Sequence, residues 1–173
     1  YHDLFREFLQ ASLRRQDDAR FRRLTRRAAE AYAALGEWER AVSRYLTLQD
    51  YERMAKVVDR VAYSLFDAGR WDTLAGWIDV LPENVREVHP RLLLHRGRIH
   101  AERGEHTPAL LMFEQAEQIF ASVGDSAGAA YVLATKGSLS RFRGQYAEAI
   151  DFCREAHGLV SGDSPQERFS LAL

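Results

Sequence analysis

Four glycines divide this chain at nearly regular intervals. Each is followed two residues later by a large or ring side chain and five residues later by a small or apolar one. The four segments are Gly36-Glu-Trp38-Glu-Arg-Ala41, Gly69-Arg-Trp71-Asp-Thr-Leu74, Gly104-Glu-His106-Thr-Pro-Ala109 and Gly144-Gln-Tyr146-Ala-Glu-Ala149. The intervals between the glycines are 33, 35 and 40 residues, close to the roughly 34-residue period of stacked helix pairs. A stack of that kind offers a surface to partners more often than a place for chemistry.

Apolar residues recur at helical spacing along the whole chain, and no segment alternates for long enough to be a strand. Three stripes show the pattern: Phe21, Leu24, Ala28, Tyr32 and Leu35; then Ala109, Phe113, Ala116 and Phe120; then Tyr146, Ala149, Ile150, Cys153, Ala156 and Val160. The four glycines stand where such helices end in a left-handed residue. The sequence therefore predicts an all-α fold.

Aligning the segments on their glycines extends the match in the last two. Gly97 and Gly137 each lie seven residues before the turn glycine, where two helices approach closely, and Ala116 and Ala156 lie twelve residues after it. This resembles the tetratricopeptide (TPR) pattern at about 90–123 and 130–163, with degenerate pairs at about 20–48 and 51–81. The resemblance implies a right-handed superhelix of antiparallel helix pairs, a TPR-like α-solenoid.

We expect three segments along the chain. Residues 1–18 are the tail of a preceding module and a linker, residues 19–82 hold the degenerate repeats, and residues 83–173 hold the TPR pairs and the start of a further helix. The first and last residues fit a piece of a longer protein.

Composition narrows the class of protein. Apolar residues make up 46% of the chain and the formal net charge is −1, which gives no general attraction to nucleic acid or membrane. No apolar run approaches the roughly 20 residues needed to span a bilayer. The single Cys153 excludes an internal disulfide framework, so we expect a cytoplasmic location.

The residue patterns that catalysis needs are missing. No glycine-rich loop precedes a helix to hold a phosphate. His95, His100 and His106 are five and six residues apart, so they diverge around a helix instead of forming a zinc pair. Cys153 falls on an apolar stripe and is predicted to be a buried packing thiol. We expect no catalytic residue, no metal site and no enzyme; an enzyme using the histidine-rich stretch at 89–106 is the third hypothesis.

The first helix of each repeat pair lines the inner surface of a TPR stack. By that resemblance six residues point to a common side and form a basic, partly aromatic groove for an acidic peptide or a small effector: Arg91, Leu94, Arg98, Tyr131, Ser138 and Arg141. The alternative is that these side chains are solvated or contact the rest of the parent protein. Residues 6–27 contain eight arginines and three acidic residues, which gives a net charge of +5. We expect this patch either to attract phosphates or to be a solvated helix face that contacts an acidic neighbouring domain.

The order of motifs along the chain resembles one regulator family. Tyr1-His2-Asp3-Leu4-Phe5-Arg6-Glu7-Phe8-Leu9 is similar to the end of the winged-helix segment in signal-transducing NTPases of the STAND class. The linker and helical-repeat sensor of the large ATP-dependent LuxR-type transcriptional regulators, the maltose-activator (MalT-like) group, are similar to residues Ala28–Val42, Gln49–Arg53, Gly69–Pro82, His89–Leu92 and Gly97.

This resemblance implies a regulatory module. It would bind an effector or protein partner and control an upstream ATPase, oligomerisation and transcription. In that family the residue matching His2 faces the phosphates of bound ADP, so ATP or ADP belongs to the parent protein and no cofactor belongs to this chain. Implied partners are the chain's own upstream nucleotide-binding domain, an effector, and further copies in the active state, without direct nucleic-acid or membrane contact. The alternative function is a stand-alone TPR scaffold that binds a peptide in its groove.

Overall fold

The computed structural model describes residues 2–160, apart from the side chains at positions 2, 3, 6, 7 and 10. Within those residues it is all-α, without a strand, as the apolar spacing predicts. The helices are α1 (His2–Gln16), α2 (Asp18–Ala34), α3 (Trp38–Leu48), α4 (Tyr51–Asp67), α5 (Trp71–Asp79), α6 (Glu83–Arg86), α7 (Pro90–Glu102), α8 (His106–Ser122), α9 (Ser126–Phe142) and α10 (Tyr146–Val160). Among them, none is both long and apolar enough to cross a membrane.

The four turn glycines end helices as predicted. Their φ angles are 75° at Gly36, 70° at Gly69, 75° at Gly104 and 75° at Gly144, the left-handed region that side chains with a Cβ avoid. Each helix that follows begins two residues later, at the ring residue of the repeat. The glycine pattern therefore marks the boundaries between consecutive helices.

The chain divides between Val61 and Ala62 into two compact units, and the division falls inside α4. In the first unit, α2 packs against both α1 and α3. Part of the arginine-rich stretch is engaged there: Arg22 donates to the Leu48 carbonyl at 3.1 Å, and Arg26 lies 3.3 Å from the Asp50 carboxylate. The predicted segment boundaries at residues 18 and 82 stay predictions.

In the second unit, α7 pairs with α8 and α9 pairs with α10. The first pair matches the predicted 90–123, whereas α9 begins at Ser126, before the predicted 130, and the predicted end at 163 lies outside the described residues. Gly97 lets α7 and α8 approach, because a Cβ there would lie 2.5 Å from Phe113 Cε1 and 3.1 Å from the Ala109 carbonyl oxygen. A Cβ on Gly137 would lie 3.3 Å from the Ala149 carbonyl oxygen. Both predicted close-approach glycines are confirmed.

The predicted α8 stripe is confirmed, since Ala109, Phe113, Ala116 and Phe120 are all buried. The other two stripes are only partly buried. Leu24 and Leu35 are exposed, and so is Cys153. The prediction of a buried thiol is therefore wrong: among the described residues α10 packs mainly against α9, which covers Ala149, Ala156 and Val160 but leaves the Cys153 flank open.

Candidate partner-binding groove

Two of the six predicted groove residues are in direct contact. Arg98 Nη1 donates a hydrogen bond to the Tyr131 hydroxyl at 3.3 Å, so α7 and α9 present their polar faces to the same side. The hydrogen bond joins the first helices of two consecutive helix pairs. The contact makes Arg98 the centre of the candidate site.

Two aromatic rings of α4 hold the Arg98 guanidinium. Its central carbon lies 3.9 Å from the Phe66 ring centroid and 5.9 Å from that of Tyr63. Both distances fall within the roughly 6 Å range of cation–π attraction. Phe66 is buried, whereas 58% of Tyr63 is exposed, so one ring supports the guanidinium from below and the other remains open to solvent.

The turn after α4 fixes the position of Phe66. Trp71 Nε1 donates to the Phe66 carbonyl at 2.9 Å, and the two rings lie 5.9 Å apart with an interplanar angle of 34°. Gly69 forms the left-handed turn between them. The glycine and the ring two residues after it, which define the sequence repeat, thus also support the aromatic wall under Arg98.

His95 lies beneath this surface, close to its positive charges. Its ring is 6.5 Å from the Phe66 ring and only 7% of the residue is exposed. Burial, together with the nearby charges of Arg98 and Arg91, lowers the pKa of His95 to about 4, so the imidazole is neutral at pH 7. His95 Nδ1 has no hydrogen-bond partner among the described residues.

Arg91 completes the basic side of the site. Residues 91, 95 and 98 share one stripe of α7, because side chains three or four positions apart lie on the same face of a helix. Arg91 is exposed, and within the described part of the chain neither Arg91 nor Arg98 has a carboxylate within ion-pair distance. We call Tyr63, Phe66, Arg91, Arg98 and Tyr131 the arginine–aromatic groove.

Three predicted residues lie elsewhere. Leu94 is only 1% exposed and belongs to the core formed with Phe113 and Val132, so it offers no surface to a partner; on α7 it stands one position before His95 and points into the α8 interface. Ser138 and Arg141 are exposed and line a separate, mostly apolar groove of about 610 Å³ between α9 and α10, next to Cys153.

The last predicted residue, His2, begins α1, and its side chain lies outside the described residues. Sequence reasoning missed Tyr63 and Phe66, although their i, i+3 spacing near the end of α4 and the tryptophan after the turn are both visible in the sequence. What the sequence did not show is that the part of α4 after Val61, which carries both rings, lies opposite α7.

The other histidines take separate roles. His100 Nδ1 lies 2.5 Å from Glu105 Oε2, and this hydrogen bond lowers the pKa of Glu105. His106 belongs to the first turn of α8. In residues 2–160, as far as their side chains are described, no group of three or more histidine, cysteine or acidic residues is arranged to hold a metal ion.

No protein-family model matches this chain, and a search of the curated proteins returns no match either.

Proposed function

We propose that this chain is the sensing module of a larger regulator and that it binds an anionic group of its effector or protein partner in the arginine–aromatic groove. The observation that supports anion binding is the set of contacts made by Arg98. Its guanidinium is held on Phe66, bonded to Tyr131 and left without a carboxylate among the described residues.

The groove is suited to a carboxylate or phosphate for electrostatic reasons. A guanidinium offers five N–H donors in a rigid plane, and in Arg98 one of these nitrogens makes the Tyr131 bond. A ring-supported guanidinium loses little side-chain entropy when a carboxylate binds to it through two hydrogen bonds. Arg91 adds a second positive charge, and Tyr63 adds an exposed ring for an apolar part of the partner.

A binding titration tests this part of the proposal. The probe is a fluorescein-labelled peptide of alternating glutamate and phenylalanine, and the chain should bind it more weakly as salt is raised, because an exposed ion pair is screened. Arg98→Gln should weaken binding about tenfold, in line with the loss of a charge-assisted hydrogen-bond pair. Arg143→Gln is the matched control, since Arg143 is exposed and lies at the end of α9, outside the groove. Equal losses in the two variants would refute the assignment.

The regulatory part of the proposal is supported by the sequence resemblance to ATP-dependent LuxR-type regulators. There, effector binding shifts the population between a resting and an active arrangement of repeats and ATPase. The resemblance predicts a phosphate-binding loop within a few hundred residues upstream in the parent gene. A parent protein without that loop would exclude a nucleotide-switch regulator.

The second candidate function is a stand-alone scaffold, favoured by the same ring-supported Arg98. Charge reversal at Arg91 and Arg98 separates the two functions. In a scaffold, Arg91→Glu with Arg98→Glu abolishes partner capture and has no enzymatic consequence. In a regulator whose repeats pack on their own ATPase, the same pair changes the basal ATPase activity of the full parent protein.

A further inference from the structure

A second concave site lies in the unit after Val61, away from the arginine–aromatic groove. Helices α5, α6, α7 and α8 surround a cavity of about 540 Å³, here named the α5–α8 cavity. This volume is in the roughly 300–1,000 Å³ range of small-molecule sites. Its apolar lining comes from Ile78 and Leu93, which are buried, and from Met112 and Ile119, which are half-buried.

The basic side chains that line this cavity all have hydrogen-bond partners. Arg96 forms a two-pronged ion pair with Asp79, with Nε 2.8 Å from Oδ1 and Nη2 3.0 Å from Oδ2. Arg86 Nη1 donates to the Leu81 carbonyl at 2.9 Å, just past the C-terminal end of α5, where the helix dipole is negative. His100 is hydrogen-bonded to Glu105.

Two carboxylates on the rim differ from these basic groups. Glu83 and Glu87 are exposed and line the cavity from α6 and the residue that follows it. They are four positions apart, so their side chains lie on one face. Among the described residues neither carboxylate has an ion-pair or hydrogen-bond partner. On the α8 side, Gln115 and Gln118 supply amide groups, which both donate and accept hydrogen bonds.

We propose that the α5–α8 cavity binds a small organic ammonium ion. The ammonium group lies between Glu83 and Glu87, the apolar body of the ligand covers Ile78 and Met112, and the Gln115 and Gln118 amides orient any polar substituent. Glu83 and Glu87 outnumber Arg86, the lining arginine that is bonded to carbonyls and not to a carboxylate, so the net charge of the rim is negative. An anion of the same shape meets two carboxylates, whereas its ammonium counterpart pairs with them.

Three probes of nearly equal size test the charge preference: 2-phenylethylammonium, neutral 2-phenylethanol and anionic 3-phenylpropionate. Each is titrated into the 173-residue chain by calorimetry, with side-chain amide NMR to locate the site. We expect the ammonium ion to bind at least about tenfold more tightly than the carboxylate and to shift the Gln115 and Gln118 amide signals. Equal affinity for the two ions, no binding of the ammonium ion, or shifts elsewhere would overturn the proposal.

Substitutions then assign the charge selection to the rim. Glu83→Gln with Glu87→Gln should weaken ammonium binding at least about fivefold, whereas Glu155→Gln, an exposed carboxylate on α10, should leave it unchanged. An unchanged affinity in the rim variant also overturns the proposal. Arg98→Gln should not alter ammonium binding, so the outcome of this test is independent of whether the arginine–aromatic groove binds an anion.

Discussion

The surroundings of His95 show how positive charge is arranged at the arginine–aromatic groove. Its ring packs near Phe66 under two arginines, and its pKa is lowered from 6.5 to about 4. A neutral imidazole avoids adding a third positive charge to a surface where Arg91 and Arg98 are already uncompensated. The groove therefore carries an electrostatic cost that a bound anion would relieve.

The lowered pKa of His95 makes the folding stability decrease as the pH falls. Because the folded pKa of His95 lies below the unfolded value, the unfolded state binds a proton first as pH falls, and folding stability decreases below pH 6.5 until it levels off below about pH 4. Between about pH 6.5 and about pH 5 the loss from His95 is about 1.5 kcal/mol, since each pH unit is worth at most about 1.4 kcal/mol. Urea unfolding at both pH values measures it, and His95→Gln should remove most of the slope. His157→Gln on the exposed face of α10 should not; equal slopes in all three proteins would contradict the assignment.

Gly97 shows how a single missing side chain determines helix packing. A Cβ at this position would lie 2.5 Å from Phe113 Cε1 and 3.1 Å from the Ala109 carbonyl oxygen. Because the second contact is backbone, it cannot move aside by a change of rotamer. We expect Gly97→Ala to lower the free energy of unfolding by about 1–3 kcal/mol, the usual cost of overpacking a core.

Gly76 is the matched control for Gly97. It lies inside α5, and a Cβ added there would meet nothing within 4 Å, so Gly76→Ala should raise stability by up to about 1 kcal/mol through helix propensity. Chemical denaturation of the two variants checks the pair. A Gly97→Ala variant as stable as the parent chain would show that α7 and α8 separate easily.

At the scale of helices, the packing of α8 against α9 includes a buried charge that the apolar pattern does not predict. Lys136 is 8% exposed, pairs with Glu117 of α8 and lies 5.7 Å from the Phe152 ring of α10. One lysine thus connects three helices. A buried ammonium is tolerated because both partners compensate its charge.

Removing the Glu117 carboxylate should lower the free energy of unfolding. Glu117→Ala leaves the Lys136 ammonium with only a ring as its partner and should cost about 2 kcal/mol, below the cost of breaking a fully buried pair, because the Glu117 side chain is 28% exposed. The double variant Glu117→Leu with Lys136→Met should regain most of that loss, because no uncompensated charge remains. Thermal unfolding of both variants checks the result, and a double variant less stable than Glu117→Ala would count against the argument.

The start of α9 is also held by one side chain. Asp125 Oδ1 accepts a hydrogen bond from the Gly128 amide at 2.8 Å, which satisfies one of the free N–H groups of the first turn. Asp125→Ala should cost about 1 kcal/mol, whereas Asp125→Asn, which still accepts that bond, should cost much less. Urea denaturation distinguishes the two, and equal stability of the variants would mean that the cap is not used.

At the scale of the whole molecule, the described residues form helical hairpins in two compact units. The proposed sensor function needs this chain to act through a neighbouring ATPase, and the chain itself carries no glycine-rich phosphate loop. We therefore expect the 173-residue chain alone to bind no ATP. A fluorescent ATP analogue should show no saturable binding at micromolar concentrations, and micromolar affinity would contradict the prediction.

Much of the architecture follows from local patterns. The turn glycines, the close approach at Gly97 and the buried stripe from Ala109 to Phe120 are all visible in the sequence, because helix periods and left-handed turns depend on residues near one another in the chain. The TPR resemblance predicts that Arg98 and Tyr131 point to a common side, and the two side chains are hydrogen-bonded. Leu94 and Cys153 differ from their predicted surroundings, because a position on an apolar or polar face does not say which neighbouring helix covers it.

The helices, the turns between them and the positions where backbones meet can be predicted from the sequence, since each of these is a local property of spacing and Cβ sterics. The packing of the helices was needed to show that Phe66 lies under Arg98, that His95 is buried beside two positive charges, and that Glu83 and Glu87 stand at the rim of a cavity. Each of these relations depends on which helices pack against one another. That choice is made by the shapes and charges of whole helix faces, which no single stretch of the chain encodes.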